Sequence, residues 1–361
     1  VQLQNRFRDP TLVRELAGRI RAAASHRETY TFMEVCGTHT QAIARWGLRE
    51  LLPDHVRLVS GPGCPVCVTP GGYIDQAARL AMDGDAVVAT FGDLLRVPGD
   101  TTSLEAARTA GGDVRVVYAP TEALALARKL DREVVFLAIG FETTAAGNAA
   151  AVRAAREANL TGLSFYAAMR RVPPVLDALV RDPQVRLDGF LLPGHVSAVL
   201  GRGPYRFLEE RGVPGVIVGF EPVDILRGVE ALLGAVNRGA ADVENLYPRA
   251  VPEAGNPQAL ALFDRVFTAE DAVWRGIGEI PGSGYGLAQD WRDLDAAARF
   301  GLGPLQARMP AGCQCAPVLK GMILPQECPL FATACTPEHP VGPCMVSREG
   351  SCAAHYRYRA S

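Results

Sequence analysis

The sequence predicts an α/β protein: two similar parallel-sheet α/β lobes facing a cleft, then a C-terminal, loop-rich region organised by cysteines. Three observations carry this reading. From about residue 30 to 225, short β-branched apolar runs alternate with Ala/Leu/Arg stretches of helical period, the pattern of parallel sheets covered on both faces. The alternation falls into two halves that meet near Asp131, each with a strand running into a threonine-rich turn and a helix. After about residue 240 Pro and Gly multiply, and six of the nine cysteines fall between Cys313 and Cys352.

In chain order, strands are expected at residues 30–35, 55–60, 86–90, 114–118, 134–139, 163–167, 189–192 and 215–218. Helical pattern lies between them, at residues 73–82, 104–110, 121–130 and 146–158, and again at 257–267 and 294–299. The paired turns read Glu34-Val35-Cys36-Gly37-Thr38-His39-Thr40 and Gly140-Phe141-Glu142-Thr143-Thr144. Open α/β sheets bind ligands beyond the carboxyl ends of their strands, so both turns should face one cleft. The implied domains are residues 1–130, 131–240 and 241–361. No P-loop is present, and Gly282-x-Gly284-x-Gly286 lacks the spacing of a dinucleotide fingerprint and reads as a turn.

Composition narrows the function. A formal charge of -2 gives no support for nucleic acid or an acidic membrane surface, and no apolar run approaches the ~18 residues of a membrane span. The first ten residues hold no secretory h-region, which makes the cytoplasm the expected compartment. In that reducing setting an odd set of nine cysteines points to metal ligation or transient redox chemistry rather than a static disulfide framework.

The cysteines sit at the two ends of the chain, with none in residues 68–312. At the front, Cys36 follows an apolar strand and precedes a helix, where the helix dipole favours a thiolate. Thr38 and Thr40 are natural N-caps there, and His39 is a candidate base, donor or supporting group. Gly61-Pro62-Gly63-Cys64-Pro65-Val66-Cys67 adds a C-x-x-C in a rigid turn. Three cysteines on strand-end loops could converge on one metal, with soft thiolates favouring Zn, Cu(I) or Fe.

At the back, Cys313, Cys315, Cys328, Cys335, Cys344 and Cys352 are separated by 1, 12, 6, 8 and 7 residues. Structural zinc modules present paired C-x-x-C knuckles, which this run lacks. Iron–sulfur clusters take four thiolates at varied spacing and are the better match, ahead of zinc and of unligated redox thiols. Six cysteines exceed that need, leaving one or two free or forming a redox pair.

Together these segments resemble the HypD family of hydrogenase maturation factors. The resemblance rests on Met33 through Thr40, Gly61 through Cys67, Gly140 through Thr144, Leu192-Pro193-Gly194-His195-Val196-Ser197, Gly219-Phe220-Glu221-Pro222, Ile280-Pro281-Gly282-Ser283-Gly284 and Gly342-Pro343-Cys344-Met345-Val346-Ser347. It implies a metallocofactor-assembly and redox scaffold rather than a conventional enzyme. On it the Fe(CN)2CO unit of [NiFe]-hydrogenases would be built, with a HypC-type chaperone and a HypE-type cyanide donor, for delivery to the hydrogenase large-subunit precursor. Cys36, Cys64 and Cys67 would then be the iron-associated thiols. The late cysteines would hold a [4Fe-4S] cluster: Cys328, Cys335 and Cys352, completed by Cys315 or Cys313, with Cys344 as a substitute. Glu142, Thr143, Thr144, His195 and the strand-end Asp93 become candidates for positioning or proton transfer, against plain roles as helix caps or hydrogen-bonding groups. A spare thiol beside the cluster could feed electrons to a front-site disulfide, an analogy of arrangement with ferredoxin:thioredoxin reductases. Ala145-Ala146 and Leu246 depart from the family pattern without touching a cysteine. The competing readings are a stand-alone, cluster-dependent thiol–disulfide oxidoreductase and a zinc-stabilised adaptor. The coupling of the two thiol sites further requires that the fold bring both ends of the chain together.

Overall fold

In the computed structural model, residues 6–358 are described, and their strands form two sheets. The strands are β1 (Tyr30–Glu34), β2 (Val56–Ser60), β3 (Val87–Thr90), β4 (Val114–Val116), β5 (Val134–Gly140), β6 (Leu163–Arg170), β7 (Gly189–Pro193), β8 (Gly215–Val218), β9 (Val243–Asn245), β10 (Phe267–Trp274) and β11 (Gly278–Leu287). One sheet runs β2-β1-β7-β8-β9, all parallel. The other runs β10-β11-β6-β5-β3-β4, parallel except for the β10–β11 hairpin and its pairing to β6.

Strand periodicity explains how each sheet is covered. Along β5, Val134, Phe136 and Ala138 face one apolar cluster while Val135, Leu137 and Ile139 face another. Along β1, Tyr30 and Phe32 face outward to a cluster with the helices Pro10–Ala23 and Pro222–Arg238. Met33 points the other way, into the cluster shared by both sheets. A strand buried on both faces must be apolar at every position, hence the near-continuous runs in the sequence. Each fully buried Val, Leu, Ile or Phe contributes ~1.5–3 kcal/mol.

The predicted α/β class is what forms, but the sheets cut across the division expected near Asp131. The chain lays down β1 and β2 in the first sheet, β3 to β6 in the second, β7 to β9 back in the first, and β10 and β11 in the second. Residue 131 therefore falls inside one sheet, between β4 and β5. Residues 241–361 likewise give β9 to one sheet and the hairpin to the other before the cysteine-rich coil begins. Apolar runs announce strands but not their partners. The expected turn at residues 282–286 is part of strand β11, which pairs with β10 on one side and β6 on the other.

The first crossing between sheets, from Ser60 to Val87, carries the C-x-x-C on the short helix Pro65–Val68. The terminal segment returns to this junction, and Cys64, Cys67, Cys315, Cys335, Cys344 and Cys352 all lie in the shared central cluster. Both ends of the chain thus meet between the two sheets. Among the described residues no helix is long and apolar enough to cross a membrane.

Candidate functional site

Cys36 ends the turn after β1 and takes the N-cap position of the helix Gly37–Arg45 in an extended conformation. The backbone amides of Thr38 and His39 point at its sulfur and favour a thiolate. Burial is the stronger influence and pushes the thiol up to about 12, helped by the nearby carboxyls of Glu349 and Glu34. Thr38 and Thr40 do not cap this helix. Thr38 donates to Glu349 Oε1 at 3.1 Å, and Thr40 donates to Glu34 Oε1 at 2.6 Å. Glu34 is fully buried beneath the turn, and burial raises its carboxyl to about 7.

The C-x-x-C turn is pressed against this helix start. Gly37 N donates to Gly63 O at 2.9 Å, and a Cβ on Gly63 would strike the backbone of Val35 and Cys36. Only glycine permits that approach, and it delivers Cys64 next to the Cys36 turn. Cys64 caps the helix Pro65–Val68, its Sγ accepting from Cys67 N at 3.3 Å. Cys64 and Cys67 are joined as a disulfide, with Cα atoms 5.3 Å apart. Cys36 is consequently the one free thiol of the front three in this form.

The terminal coil docks directly on the C-x-x-C. Cys67 Sγ lies 3.8 Å from Pro343 O, one residue before Cys344. Cys344 is joined as a disulfide to Cys315, their Cα atoms 6.7 Å apart. Four free thiols remain behind this pair, on Cys313, Cys328, Cys335 and Cys352. They line one small pocket together with Cys315 and Cys344 and the apolar side chains of Leu330, Phe331 and Met345. A Cβ on Gly342 would sit 2.6 Å from Cys313 Sγ, so glycine lets the turn before Cys344 close over that thiol. Burial, then the neighbouring thiols Cys313, Cys335 and Cys328, pushes the Cys352 thiol up. Burial likewise raises Cys313.

Among the described residues no group of three or more His, Cys, Asp or Glu is placed to hold a single metal ion. In the front site this follows from the Cys64–Cys67 bond, which occupies two of three expected ligands. In the back pocket all six late cysteines line the space, four of them as free thiols, the number of thiolates that an iron–sulfur cluster takes. The pairing of Cys315 with Cys344 leaves Cys313 as the fourth free thiol beside Cys328, Cys335 and Cys352.

The remaining predicted residues divide between two places. His39 is fully buried and donates from Nε2 to Gly219 O at 2.9 Å, leaving Nδ1 without a partner. Burial lowers its pKa to about 4, so the ring is neutral. Phe220 stacks between His39 and the exposed His195, with centroids 4.6 and 3.9 Å away. Glu142 instead begins the helix Glu142–Glu157 and lines a cavity of about 600 Å³ between the sheets, with Arg171, Leu200, Phe207 and Tyr285. Its Oε1 accepts from Val172 N at 2.8 Å and its Oε2 has no partner. Thr143 is exposed and Thr144 half-buried, and the helix is capped by Phe141 without a side-chain bond. Asp93 accepts from Ser347 Oγ at 2.8 Å, tying the rim of the second sheet to the cysteine coil.

Sequence reasoning passed over Glu34, Glu349 and Tyr205. The buried Tyr205 phenol accepts from Ser197 Oγ at 3.3 Å, and burial raises its pKa, with the Glu142 carboxyl and the Cys36 thiol adding to the shift. Glu34 opens the Cys36 turn without a signal of its own, and Tyr205 and Glu349 stand in no local motif. Only the return of distant segments to one junction marks them.

The fold and site define a two-sheet α/β protein whose sheet junction holds two adjacent cysteine pairs, one isolated thiol and a four-thiol pocket. The family described as "HypD: Hydrogenase formation hypA family" matches residues 11–359. The chain is 45% identical to the hydrogenase maturation factor HypD of Cupriavidus necator, covering 98% of this chain and 96% of that one. It is 44% identical to the factor of the same name from Rhizobium leguminosarum bv. viciae (98% and 94% covered) and 41% identical to that of Rhodobacter capsulatus (99% and 98%). The chain belongs to the HypD family.

Proposed function

We propose that this chain is a hydrogenase maturation factor that serves as a scaffold for the Fe(CN)2CO unit, with thiolate-bound iron as its cargo. The supporting observation is the packing of the C-x-x-C helix on the turn Pro343–Met345, which sets one cysteine pair beside the other and both before the four-thiol pocket. Cys313, Cys328, Cys335 and Cys352 would hold a [4Fe-4S] cluster, which supplies electrons one at a time when bound.

The chain's own residues then do the rest. With Cys315 and Cys344 reduced, the Cys344 thiolate attacks a sulfur of the Cys64–Cys67 disulfide and forms a mixed disulfide. Cys315 displaces it, closing Cys315–Cys344, and two electrons and two protons have moved to Cys64 and Cys67. The two new thiols stand beside Cys36 at a helix N-terminus, a soft donor set suited to electron-rich iron. The Glu142 carboxyl, raised by burial to about 7, and the amides of the cleft would position cyanide-bearing cargo. A HypC-type chaperone, a HypE-type cyanide donor and the hydrogenase large-subunit precursor are the partners this role needs, and the cytoplasm its compartment.

Purified anaerobically, the protein should be brown, with about four irons and four labile sulfides per chain for one such cluster. Co-purified with its HypC-type partner, it should carry cyanide and carbonyl infrared bands. Cys36→Ala should abolish those bands and leave the cluster absorption intact. Bands that survive this change would remove Cys36 from the cargo site. The adjacency of two disulfides also suits a stand-alone thiol–disulfide oxidoreductase. That reading requires turnover of a dithiol substrate with Cys36 dispensable.

A further inference from the structure

Arg275 is fully buried, yet only one arm of its guanidinium is satisfied. Nη1 donates to Pro98 O at 2.6 Å, while Nε and Nη2 have no partner. The charges acting on it from outside its own strand end are Asp100, Cys313 and Asp75. Neither carboxylate bonds the guanidinium: Asp100 Oδ1 accepts from Arg308 N at 3.4 Å, and Asp75 accepts from the amides of Asp100, Thr101 and Thr102. Burying a cation without a hydrogen-bonded counter-charge is strongly unfavourable, so this arrangement calls for an anion nearby.

Its position shows where that anion belongs. Arg275 N donates to Val68 O at 2.9 Å, the residue after Cys67. The next residue, Gly276, packs on Ala316, the neighbour of Cys315. The backbone at Arg275 and Gly276 thus lies between the segments carrying the two cysteine pairs, the guanidinium reaches on to Pro98 O, and its field reaches the Cys313 thiol of the four-thiol pocket. We infer that Arg275 is a positioning residue for that pocket, a buried positive charge against which Cys313, Cys328, Cys335 and Cys352 hold an anionic iron–sulfur cluster. This rests on the cluster reading given above. A [4Fe-4S] core with four thiolates carries a net charge of about -2, and one added electron takes it to about -3 with no bond made or broken. A fixed cation favours the more negative state, so Arg275 raises the reduction potential and eases electron entry ahead of the Cys315–Cys344 pair.

The test reconstitutes the full chain anaerobically with iron and sulfide, as wild type, Arg275→Gln and Arg275→Lys. Gln keeps a polar amide and removes the charge, and Lys keeps the charge. Each protein is checked by circular dichroism, by iron and labile-sulfide content, and by a dithionite titration followed by EPR. Arg275→Gln should lower the reduced-to-oxidised ratio at a fixed potential at least tenfold, a shift of about 59 mV or more to the negative for a one-electron couple. Arg275→Lys should stay within about threefold of wild type, since it keeps the charge that sets the potential. If Gln fails to load while Lys loads, the charge is required for holding the cluster and the inference stands. An unchanged potential in a fully loaded Gln variant overturns it, as does equal loss in Gln and Lys. Absence of labile sulfide in the wild type would instead overturn the cluster reading itself, and this inference with it.

Discussion

Replacing Glu142 by Gln tests whether the cleft holds a neutral carboxylic acid. Glu142 has no exposed surface, and burial raises its carboxyl from the ordinary 4.5 to about 7. Its bond from Val172 N, its own amide and the Arg171 charge pull the other way and do not prevail. The folded state therefore binds this proton more tightly than the unfolded state does. The stabilisation is complete below pH 4.5 and is lost as pH rises to about 7. Each pH unit between those values is worth ~1.4 kcal/mol, so the loss sums to about 3 kcal/mol. The glutamine amide of the variant cannot ionise and can still accept from Val172 N, so it should escape that loss. His39 slopes oppositely: its pKa falls from 6.5 to about 4, and stability drops as pH falls through that interval. It does so in both proteins and cancels in their difference. Anaerobic urea unfolding, followed by circular dichroism from about pH 4 to 8, should show Glu142→Gln gaining about 3 kcal/mol on wild type across the range. Parallel curves would refute a buried, protonated Glu142.

Three further changes probe the junction. Gly63→Ala drives a Cβ into the backbone of Val35 and Cys36 and should cost about 1–3 kcal/mol, with faster alkylation of Cys36 by iodoacetamide as the turns separate. Asp75→Ala removes the acceptor of the amides at Asp100, Thr101 and Thr102, at a cost of about 1.5–3 kcal/mol or more. Limited proteolysis should then cut within residues 98–103 before any other site. Phe220→Leu deletes both histidine stacks and should lose about 0.5–1.5 kcal/mol per stack in a urea titration, with the His195 imidazole resonances in NMR moving toward those of a free side chain.

The order of strands β1 to β8 was legible because parallel strands buried on two faces must be apolar throughout, and Val134 to Ile139 announces itself that way. The hairpin was not. Strand β10 exposes four residues in a row, Thr268 to Asp271, and β11 is broken by Pro281 with Gly282, Gly284 and Gly286, which read as turn. Its formation depends on β6 lending an edge, a contact more than 100 residues back in the chain. The caps failed for a related reason. Thr38 and Thr40 have the chemistry for an N-cap, but Glu349 and Glu34 compete for their hydroxyls, and Glu349 arrives from the other end of the chain.

Residue chemistry and spacing alone determined the α/β class, the family and the inventory of thiols, because those depend on local period and on which side chains exist. Tertiary structure alone decided which strands share a sheet, that Cys64–Cys67 and Cys315–Cys344 are neighbours, that four free thiols face one pocket, and that Arg275 is buried near them without a hydrogen-bonded counter-charge. Those are relations between residues far apart in the chain. They arise from two sheets exchanging strands and burying one common core, and no local pattern encodes them.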